Sequence, residues 1–374
     1  MASVGSSICT ILAYSSDEIY CGAVLKTLTQ QLADQQDLTD ADVTLAVAAL
    51  TSPEVSPPAK AEFLTALALK GETVAEIAAF ARELRDKSIT PPLNAETRAR
   101  QVLDVCGTGG DRLNTFNIST TVALIAAAAG VTVAKHGNRA ITSQAGIADV
   151  LEALGIRVDL EPEEAARALC EHHFAFFFAP KYHPAFREIA PARKLCAERR
   201  QRTIFNFLGP LLNPVRPTVQ MVGVPRPELC QPVAQVLQLL GARRGMVVSG
   251  EVPVDGTVAH LDELSTLGHN CVAEFYQERG FSVSTLSPWD FPVQPAVLQQ
   301  LVGGDRATNA EIVRDLLRGK EQGPKRDAIL LNAAAALFVA EKAGSLTEGW
   351  GLAEELVDSG KAMAKLEELG RVWK

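Results

Sequence analysis

The sequence has few cysteines, and they form no recognisable pattern. Its seven cysteines are spread over 374 residues, no two of them enclose a two-residue gap, and no histidine stands at the spacing that zinc fingers use. A disulfide framework and a structural zinc site are therefore excluded as organising features. We expect reduced thiols and a cytoplasmic location.

The sequence also lacks long apolar runs and an excess of basic residues. No apolar segment is long enough to span a membrane, and the short apolar piece at residues 8–14 lacks the basic residues that precede a secretory signal core. Lys and Arg number 36 against 44 Asp and Glu, giving a net charge of −8, whereas nucleic-acid-binding proteins usually carry a basic excess. We expect neither a membrane nor a nucleic acid as a partner.

What the chain does contain is a helical first part followed by an alternating second part. Residues 22–87 show only helical patterns, with helix starts at Thr39 and Thr73. The ITPPL segment (89–93) then breaks the helical pattern, as a linker between domains does. From residue 101 onward strands, turns and helices alternate, which predicts an α/β fold with a parallel or mixed sheet flanked by helices.

The bounds of these elements follow from the apolar periodicity. The predicted strands cover residues 101–106, 131–135, 174–179, 219–224, 245–249, 258–262 and 271–276, and the predicted helices of the second part cover 118–129, 147–154, 162–171, 227–240, 308–318, 325–342 and 346–370. The apolar run FAFFFAP (174–180) predicts a central strand buried on both faces, because no polar residue alternates along it.

The strongest chemical signal is the stretch Asp104–Thr121, DVCGTGGDRLNTFNISTT. Three glycines within four positions allow positive φ and close approach of a ligand, and the N–H groups of such a turn can converge on an anion ahead of a helix start. Asp111 adds a carboxylate that suits a hydroxyl or a metal ion. Cys106, beside the turn, is expected to be a small buried residue rather than a nucleophile.

Several motifs follow one another in a specific order along the chain. They are GTGGD at 107–111, NIST at 117–120, KHGNR at 135–139, GIADVLEALG at 146–155, YHPAF at 182–186, RTIFNFLGPLLNP at 202–214 and DELS at 262–265. In this combination the sequence resembles anthranilate phosphoribosyltransferase, over nearly all of the chain beyond residue 22. The resemblance implies transfer of the phosphoribosyl group of phosphoribosyl pyrophosphate (PRPP) to anthranilate, with release of pyrophosphate, in tryptophan biosynthesis.

The resemblance also implies the domain organisation. It implies a small N-terminal α-helical domain at residues 22–90, joined by helices from about 184–206, and a larger α/β domain at 91–374 with substrates in the cleft between them. The central sheet of the larger domain is expected to be mixed, mainly parallel and flanked by helices. Residues 1–21 form an extension outside both domains, and a homodimer formed through the helical domain is implied in the same way.

The family's PRPP-contacting positions fall on the glycine stretch and on the segment that begins with KHGNR. They correspond to Gly107, Gly110, Asp111, Thr115, Asn117, Ile118, Ser119, Thr120, Lys135, His136, Gly137, Asn138, Arg139, Ala140, Ile141, Thr142 and Ser143. Lys135 offers a point charge to a phosphate oxygen. No catalytic acid or base is predicted, because an arylamine is a serviceable nucleophile and the protein must mainly position it and stabilise the leaving group.

Ser119, Asp262 and Glu263 match the family's magnesium positions. Two adjacent carboxylates and a hydroxyl suit a hard cation that keeps some waters and bridges pyrophosphate oxygens, so Mg²⁺ is the expected cofactor. Both carboxylates are expected to face solvent when no metal is bound.

Arg193 matches the arginine that holds the anthranilate carboxylate, a pairing that the guanidinium fork makes well. Asn138 and Gly107 match the other anthranilate-contacting positions. His136 and His183 lie where family members line the acceptor side, and a packing role for either histidine is an equal alternative.

Three departures from the family pattern bear on these assignments. Ile147 stands where the family usually has a serine, which removes one hydroxyl from the PRPP loop. Residues 194–201, KLCAERRQ, make the spacing after Arg193 about three residues longer than usual. His260 stands where a glycine is common.

Three alternatives remain beside the implied activity. One is a related phosphoribosyltransferase that uses another aromatic amine as acceptor, and another is a non-catalytic relative that binds nucleic acid. The pyrimidine nucleoside phosphorylases share the fold and a similar glycine loop, but place a lysine and a serine soon after it, where this chain has RLNT (112–115). The acidic net charge and the presence of Asn138 and Arg193 favour the anthranilate enzyme.

Overall fold

The computed structural model describes residues 17–139, 145–277 and 280–372, and only the backbone of residues 17–20. Within these residues the chain forms two compact units. One comprises the chain up to Leu84 with Ala185–Phe205, and the other comprises Arg85–Pro184 with the chain from Asn206 onward. Most of the expected extension, residues 1–16, lies outside the described residues.

The helices account for most of the regular structure. In chain order they are α1 Asp17–Ala33, α2 Asp40–Thr51, α3 Pro57–Lys70, α4 Val74–Asp86, α5 Ala95–Ala99, α6 Ile118–Ala128, α7 Ile147–Ala153, α8 Pro162–His172, α9 Ala179–Tyr182, α10 Ala190–Glu198, α11 Cys230–Leu239, α12 Arg306–Leu317, α13 Pro324–Val339, α14 Leu346–Asp358 and α15 Lys361–Arg371. None of the helices in the described part of the chain is both long enough and apolar enough to cross a bilayer.

The strands form one mixed sheet. They are β1 Val102–Gly107, β2 Thr132–Gly137, β3 Phe174–Phe178, β4 Val219–Gly223, β5 Arg244–Val254, β6 Thr257–Leu261, β7 Asn270–Tyr276 and β8 Gly280–Leu286. Their order is β3-β2-β1-β4-β5-β7-β8, with β6 also paired to β5. The pairs from β3 to β5 are parallel, and those of β6, β7 and β8 are antiparallel. The predicted fold class, a helical domain and a mainly parallel α/β domain, is confirmed.

Local capping fixes the starts of the helices in the helical unit. The Thr39 hydroxyl accepts the Asp42 N–H, and the Asp42 carboxylate accepts the Thr39 N–H at 2.9 Å, so two otherwise unpaired donors are satisfied. Thr73 and Glu76 repeat the same exchange at the start of α4, and Glu76 also accepts the Leu38 N–H at 2.9 Å. Both helix starts predicted from the sequence are confirmed.

Two alanine-rich helices form the centre of the α/β unit. Helix α6 packs on β1 and β2, and helix α13 packs on α6 and β4. Nearly every side chain of both helices is buried, so small alanine side chains allow close packing on the sheet. Helix α6 begins just after the glycine turn that follows β1, which brings its N-terminus to the carboxyl edge of the parallel strands.

Three differences from the sequence predictions bear on the fold. Strand β3 is buried on both faces as predicted, but it lies at an edge of the sheet rather than at its centre. Strand β8 was not predicted, because its alternating pattern leaves most of its side chains exposed. The single helix predicted at 346–370 is two helices, since Gly360 adopts φ 76° between α14 and α15.

Candidate active site

Three carboxylates converge at the carboxyl edge of the parallel strands. Asp111 lies in the turn after β1, and Asp262 and Glu263 directly follow β6. One ligand oxygen from each of the three lies within 4.8 Å of the others. Ser119, in the first turn of α6, lines the same small cavity as Asp262 and Glu263. The predicted metal residues are therefore brought together, and Asp111 joins them.

Glycines at the ends of two strands make room for Asp262. A Cβ on Gly107 would lie 2.1 Å from Asp262 Oδ2, and a Cβ on Gly223 would lie 1.5 Å from the Asp262 carbonyl oxygen. The Gly109 N–H donates to Asp262 Oδ2 at 2.6 Å. One N–H of the expected anion-binding turn is thus already used by a carboxylate of the protein. Asp262 is buried, so the expectation that both carboxylates face solvent is wrong for it.

The three carboxylates are not neutralised by a paired basic side chain. Burial, and then the Asp111 carboxylate, raise the pKa of Asp262 to about 7. Burial, and then Asp262 and Asp111, raise the pKa of Glu263 well above its usual value. Within the described residues no Lys, Arg or His forms an ion pair with any of the three, and Glu263 Oε2 is buried without a hydrogen-bond partner. A buried oxygen without a donor, beside two further carboxylates, fits a hard divalent cation.

The segment between the glycine turn and α6 is held in a constrained conformation. Gly109 and Gly110 have positive φ, and so do Arg112 and Asn114, at 62° and 55°. The Asn114 carbonyl accepts the Gly303 N–H at 2.9 Å, which braces this conformation from outside. Backbone strain of this kind is retained where neighbouring structure over-determines it, often at functional sites.

The start of α6 presents polar atoms that the protein leaves unpaired. Asn117 Oδ1 and Thr120 Oγ1 are buried and have no hydrogen-bond partner within the described residues. Thr115 bridges to Val302, and the Ile118 side chain is buried in the core. The first N–H groups of a helix also lack intrahelical acceptors, so this end of α6 can receive an anion.

Lys135 is placed differently from the expectation. Its side chain is fully buried, and its ammonium donates to the Val105 carbonyl at 2.6 Å and to Ser119 Oγ at 3.4 Å. Burial lowers the pKa of Lys135. The Lys135 ammonium group is therefore hydrogen-bonded to Ser119 in the interior and does not face solvent. Cys106 is buried as predicted, and burial raises the pKa of its thiol well above the usual value.

His136 and His183 pack against each other edge to face, with ring centroids 5.2 Å apart. Both are buried. Burial lowers the pKa of His136 to about 3 and that of His183 to about 4. The two imidazoles are therefore neutral at physiological pH, and neither can supply a proton as an imidazolium there.

The end of the KHGNR motif is exposed, and its arginine is already paired. Arg139 forms ion pairs with Asp149 at 3.0 Å and Glu152 at 2.6 Å, and its guanidinium lies over the Phe178 ring. Asn138 Oδ1 accepts the Arg139 N–H at 2.7 Å. The further predicted PRPP positions Ala140, Ile141, Thr142 and Ser143 lie outside the described residues.

Ile147, the departure at the start of α7, packs against Gly137. Its Cδ1 would lie 3.1 Å from a Cβ added to Gly137, and its side chain contacts the main core. The isoleucine therefore fills space beside β2 instead of offering a hydroxyl. The Gly146 N–H, which precedes α7, donates to Asp149 at 3.0 Å.

Arg193 belongs to the helical unit, whereas Gly107 and Asn138 belong to the α/β unit. Arg193 is half-buried on α10, and its guanidinium lies 5.2 Å from the centroid of Phe205. Burial lowers its pKa, and no carboxylate within the described residues pairs with it. Helix α10 ends at Glu198, so most of the longer 194–201 segment extends the helix and its following turn.

Sequence reasoning missed Asn332 at this site. It is a buried amide on α13 that lines the same cavity as Asp262 and Glu263. A lone polar residue within the apolar run AILLNAAAALF (328–338) is a signal that could have drawn attention to it, because a buried amide needs partners.

Both units match described protein families. Residues 26–88 match the helical bundle domain of a glycosyl transferase family, and residues 99–363 match the a/b domain of a glycosyl transferase family.

Individual proteins extend the similarity over most of the chain. The chain is 44% identical to the anthranilate phosphoribosyltransferase of Geobacter sulfurreducens over 92% of this chain and 98% of that protein, and 45% identical to that of Roseiflexus castenholzii over 91% and 95%. The crystal structure of the Thermus thermophilus enzyme matches with a TM-score of 0.81 and 42% identity over 92% of this chain and 98% of that chain. The Saccharomyces cerevisiae enzyme in complex with PRPP and Mg matches with a TM-score of 0.80 and 27% identity over 93% and 97%.

Proposed function

This chain belongs to the anthranilate phosphoribosyltransferase family, and on that premise we propose that it transfers the phosphoribosyl group of PRPP to the amino nitrogen of anthranilate. The C1–O bond to pyrophosphate breaks, pyrophosphate leaves with the electron pair, and the C1–N bond forms before the amine loses a proton. The product, N-(5-phosphoribosyl)anthranilate, belongs to tryptophan biosynthesis.

The observation that carries this proposal is the convergence of Asp111, Asp262 and Glu263 without a paired basic side chain. We propose that these carboxylates, with Ser119, hold Mg²⁺. The bound cation would supply positive charge near the leaving pyrophosphate. The yeast relative is described with PRPP and Mg, which supports this choice of metal.

The residues at the start of α6 are proposed to receive PRPP. Asn117, Ser119 and Thr120 offer short polar side chains, and the helix N-terminus offers N–H groups to phosphate oxygens. Gly110 keeps the approach open, because no atom lies within 4 Å of its Cβ position. The space beside Gly107 is taken by Asp262, so Gly107 remains a predicted PRPP contact through its backbone. Lys135 contributes indirectly, by holding Ser119 Oγ and the Val105 carbonyl in place through hydrogen bonds. No side chain has to act as a base, because the acceptor is an arylamine.

We propose that Arg193 binds the anthranilate carboxylate, because it is a half-buried guanidinium without an ionic partner in the described residues. Gly107 and Asn138 remain the other predicted acceptor contacts. The yeast relative is described in complex with 4-fluoroanthranilate, which supports an aromatic amine acid as acceptor.

We also propose a homodimer and a cytoplasmic location. Leu45 and Leu69 are large apolar side chains of the helical unit that are 39% and 73% exposed, and a partner surface would cover them. The cysteines within the described residues carry free thiols, which suits a reducing compartment.

The test is the release of pyrophosphate from PRPP and Mg²⁺, measured with and without anthranilate. We expect release that requires both the metal and anthranilate. Asp262→Asn should abolish most of it, and Asp255→Asn, which changes an exposed carboxylate on a turn, should not. Release that needs no anthranilate, or that another aromatic amine supports better, would contradict the proposed acceptor.

A further inference from the structure

The segment that carries the acidic pair is held by a buried amide on helix α13. Asn332 Oδ1 accepts the Leu264 N–H at 2.9 Å, and Asn332 Nδ2 donates to the Leu264 carbonyl at 2.8 Å. The second N–H of the same amide can reach the Ala328 carbonyl, 2.9 Å from Nδ2, one helical turn earlier. The side chain therefore pairs with the backbone of Leu264 as a neighbouring strand would, and both its N–H groups and one lone pair of Oδ1 are directed to backbone groups.

Close steric contacts with glycines of neighbouring strands also confine this segment. A Cβ on Gly250 would lie 2.5 Å from the Ser265 N and 2.7 Å from the Glu263 carbonyl oxygen. Gly107 and Gly223 leave equally little room at Asp262. The segment is thus pressed onto the ends of the strands, and two buried amides supply its directional bonds: Asn332 holds Leu264, and Asn270 accepts the Ser265 N–H at 2.6 Å and donates to the Ser265 carbonyl at 3.0 Å. Of the two, Asn332 bonds the residue next to Glu263 and bears most directly on the rotation of the acidic pair.

The rotation matters because the carboxylates repel one another. Asp262 and Glu263 lie beside Asp111 without a paired basic side chain. A rotation of the segment that separates these side chains would therefore lower their electrostatic repulsion. Asn332 is 1% exposed and lies on a helix that is buried along nearly its whole length. Bonds made from such a rigid support resist that rotation more than bonds from a loop would.

We propose that Asn332 is a positioning residue for the metal-binding carboxylates, acting through the Leu264 peptide and touching neither metal nor substrate. This inference rests on the proposed metal role of Asp262 and Glu263. Without the amide, the fold keeps its sheet and helices, but the two carboxylates lose the common orientation that a single cation requires.

Asp327 provides the control. It is also a buried polar side chain on α13, and it holds a backbone group, because its Oδ2 accepts the Gln294 N–H at 2.8 Å. The Gln294 segment carries no carboxylate of the acidic group. Replacing either residue by leucine removes its side-chain hydrogen bonds to a backbone segment and keeps the number and branching of its heavy atoms.

The experiment measures Mn²⁺ binding to each protein without pyrophosphate, which would itself chelate the cation, from the electron paramagnetic resonance signal of free Mn²⁺, together with thermal unfolding. Asn332→Leu should weaken Mn²⁺ binding about 10- to 100-fold, as loss of a ligand-orienting partner does. Asp327→Leu should also lower the unfolding temperature but keep the wild-type affinity for Mn²⁺. The KM for anthranilate should be the same in all three proteins.

Wild-type Mn²⁺ affinity in a folded Asn332→Leu protein would overturn the inference, and so would equal weakening in Asp327→Leu. If Asn332→Leu does not fold, Asn332→Ser is titrated instead, and the same outcomes decide. The wild-type titration and its Asp262→Asn variant test the proposed metal site separately. If Mn²⁺ binding is unaffected by Asp262→Asn, the metal assignment itself fails, and the role of Asn332 fails with it.

Discussion

The acidic segment 262–265 and the basic segment 135–139 both end strands of the same sheet, but they differ in whether the protein neutralises them. Arg139 is paired with two carboxylates, and Lys135, bonded to a carbonyl and a hydroxyl, feels the opposite charge of the buried Asp104. Asp262 and Glu263 have only backbone donors and each other. Among the described residues of these two segments and the adjoining turn, the three converging carboxylates are therefore the like charges that lie together without an ion pair.

This difference indicates what each segment requires from a ligand. A divalent cation would lower the energy of the acidic segment, whereas Arg139 of the basic segment already has two carboxylate partners. Arg193 in the helical unit is the reverse case, a guanidinium that has an aromatic neighbour but no carboxylate within the described residues. The carboxylate of a small acid such as anthranilate would be the ionic partner that Arg193 lacks.

The largest expected effect comes from removing the acidic charges. Asp262→Ala combined with Glu263→Ala should lower turnover about 10³-fold or more, because electrostatic stabilisation of the leaving group is usually the largest single contribution to such a reaction. The metal-free double variant should be at least as stable as the wild type, since the repulsion with Asp111 is gone. Turnover near the wild-type value at limiting Mg²⁺ would remove these residues from the metal site.

The next largest effect tests the steric side of the acidic segment. Gly223→Ala places a Cβ 1.5 Å from the Asp262 carbonyl oxygen, so the segment has to move. We expect a loss of about 1–3 kcal/mol in the free energy of unfolding and a fall in turnover of about 100-fold. Gly351→Ala, on α14 with open space around its Cβ position, is the control and should be neutral or slightly stabilising. Turnover and unfolding by urea are the measurements.

Arg193→Ala tests the unpaired cation. It removes a charge-assisted hydrogen bond of about 1.5–3 kcal/mol, so KM for anthranilate should rise roughly 10- to 100-fold while KM for PRPP stays nearly constant. Arg199→Ala, Arg200→Ala and Arg202→Ala, which change exposed arginines, serve as comparisons. If one of these affects anthranilate more strongly than Arg193→Ala, the longer 194–201 segment has moved another arginine into this role.

The pH dependence of stability should report the cost of ionising Asp262 in the folded protein. The folded protein holds the pKa of Asp262 at about 7, above the usual 3.8, so folding favours the protonated form. The contribution of this group is most favourable below pH 4, declines as pH rises and is fully lost above pH 7. The metal-free protein should therefore be less stable at pH 8 than at pH 5 in urea unfolding, and Asp262→Asn should flatten this slope. A slope unchanged by the substitution would mean that Asp262 ionises without penalty.

The smallest expected effect concerns Ile147, on the basic side. Ile147→Ser removes apolar contacts with Gly137 and the core, which should cost about 1–2 kcal/mol of unfolding free energy. A serine hydroxyl can return at most about 1 kcal/mol to PRPP binding. Calorimetric titration of PRPP with Mg²⁺ should show a change of less than about fivefold. A larger weakening would show that the packing of Ile147 shapes the PRPP loop.

The sequence was sufficient for elements that depend on local signals. Capping at Thr39 and Thr73, the apolar strands and the glycine turn were all located from neighbouring residues. The edge position of β3 and the pairing of β8 depend on contacts between distant segments, which periodicity along one strand does not encode. The break at Gly360 was missed because an isolated glycine in a helical pattern is often tolerated.

The site shows the same division. Ser119, Asp262 and Glu263 were identified because the resemblance covers their motifs, and the structure brings them to one cavity. The burial of Lys135 and Asp262, and the role proposed for Asn332, depend on which helix lies beneath the strand ends. No motif adjacent to those residues indicates this packing.

The bonds between Asn332 and Leu264 join residues 68 positions apart, and Asp262 meets the Gly109 N–H across 153 positions. Contacts of such long range form late, because the entropy of closing the intervening chain must be overcome first. During synthesis, the glycine turn and the acidic segment emerge well before α13. We therefore expect the carboxylates to stay hydrated in the nascent chain and to be buried together only when α13 docks. The metal site is then a final product of folding, and a cation cannot serve as its template.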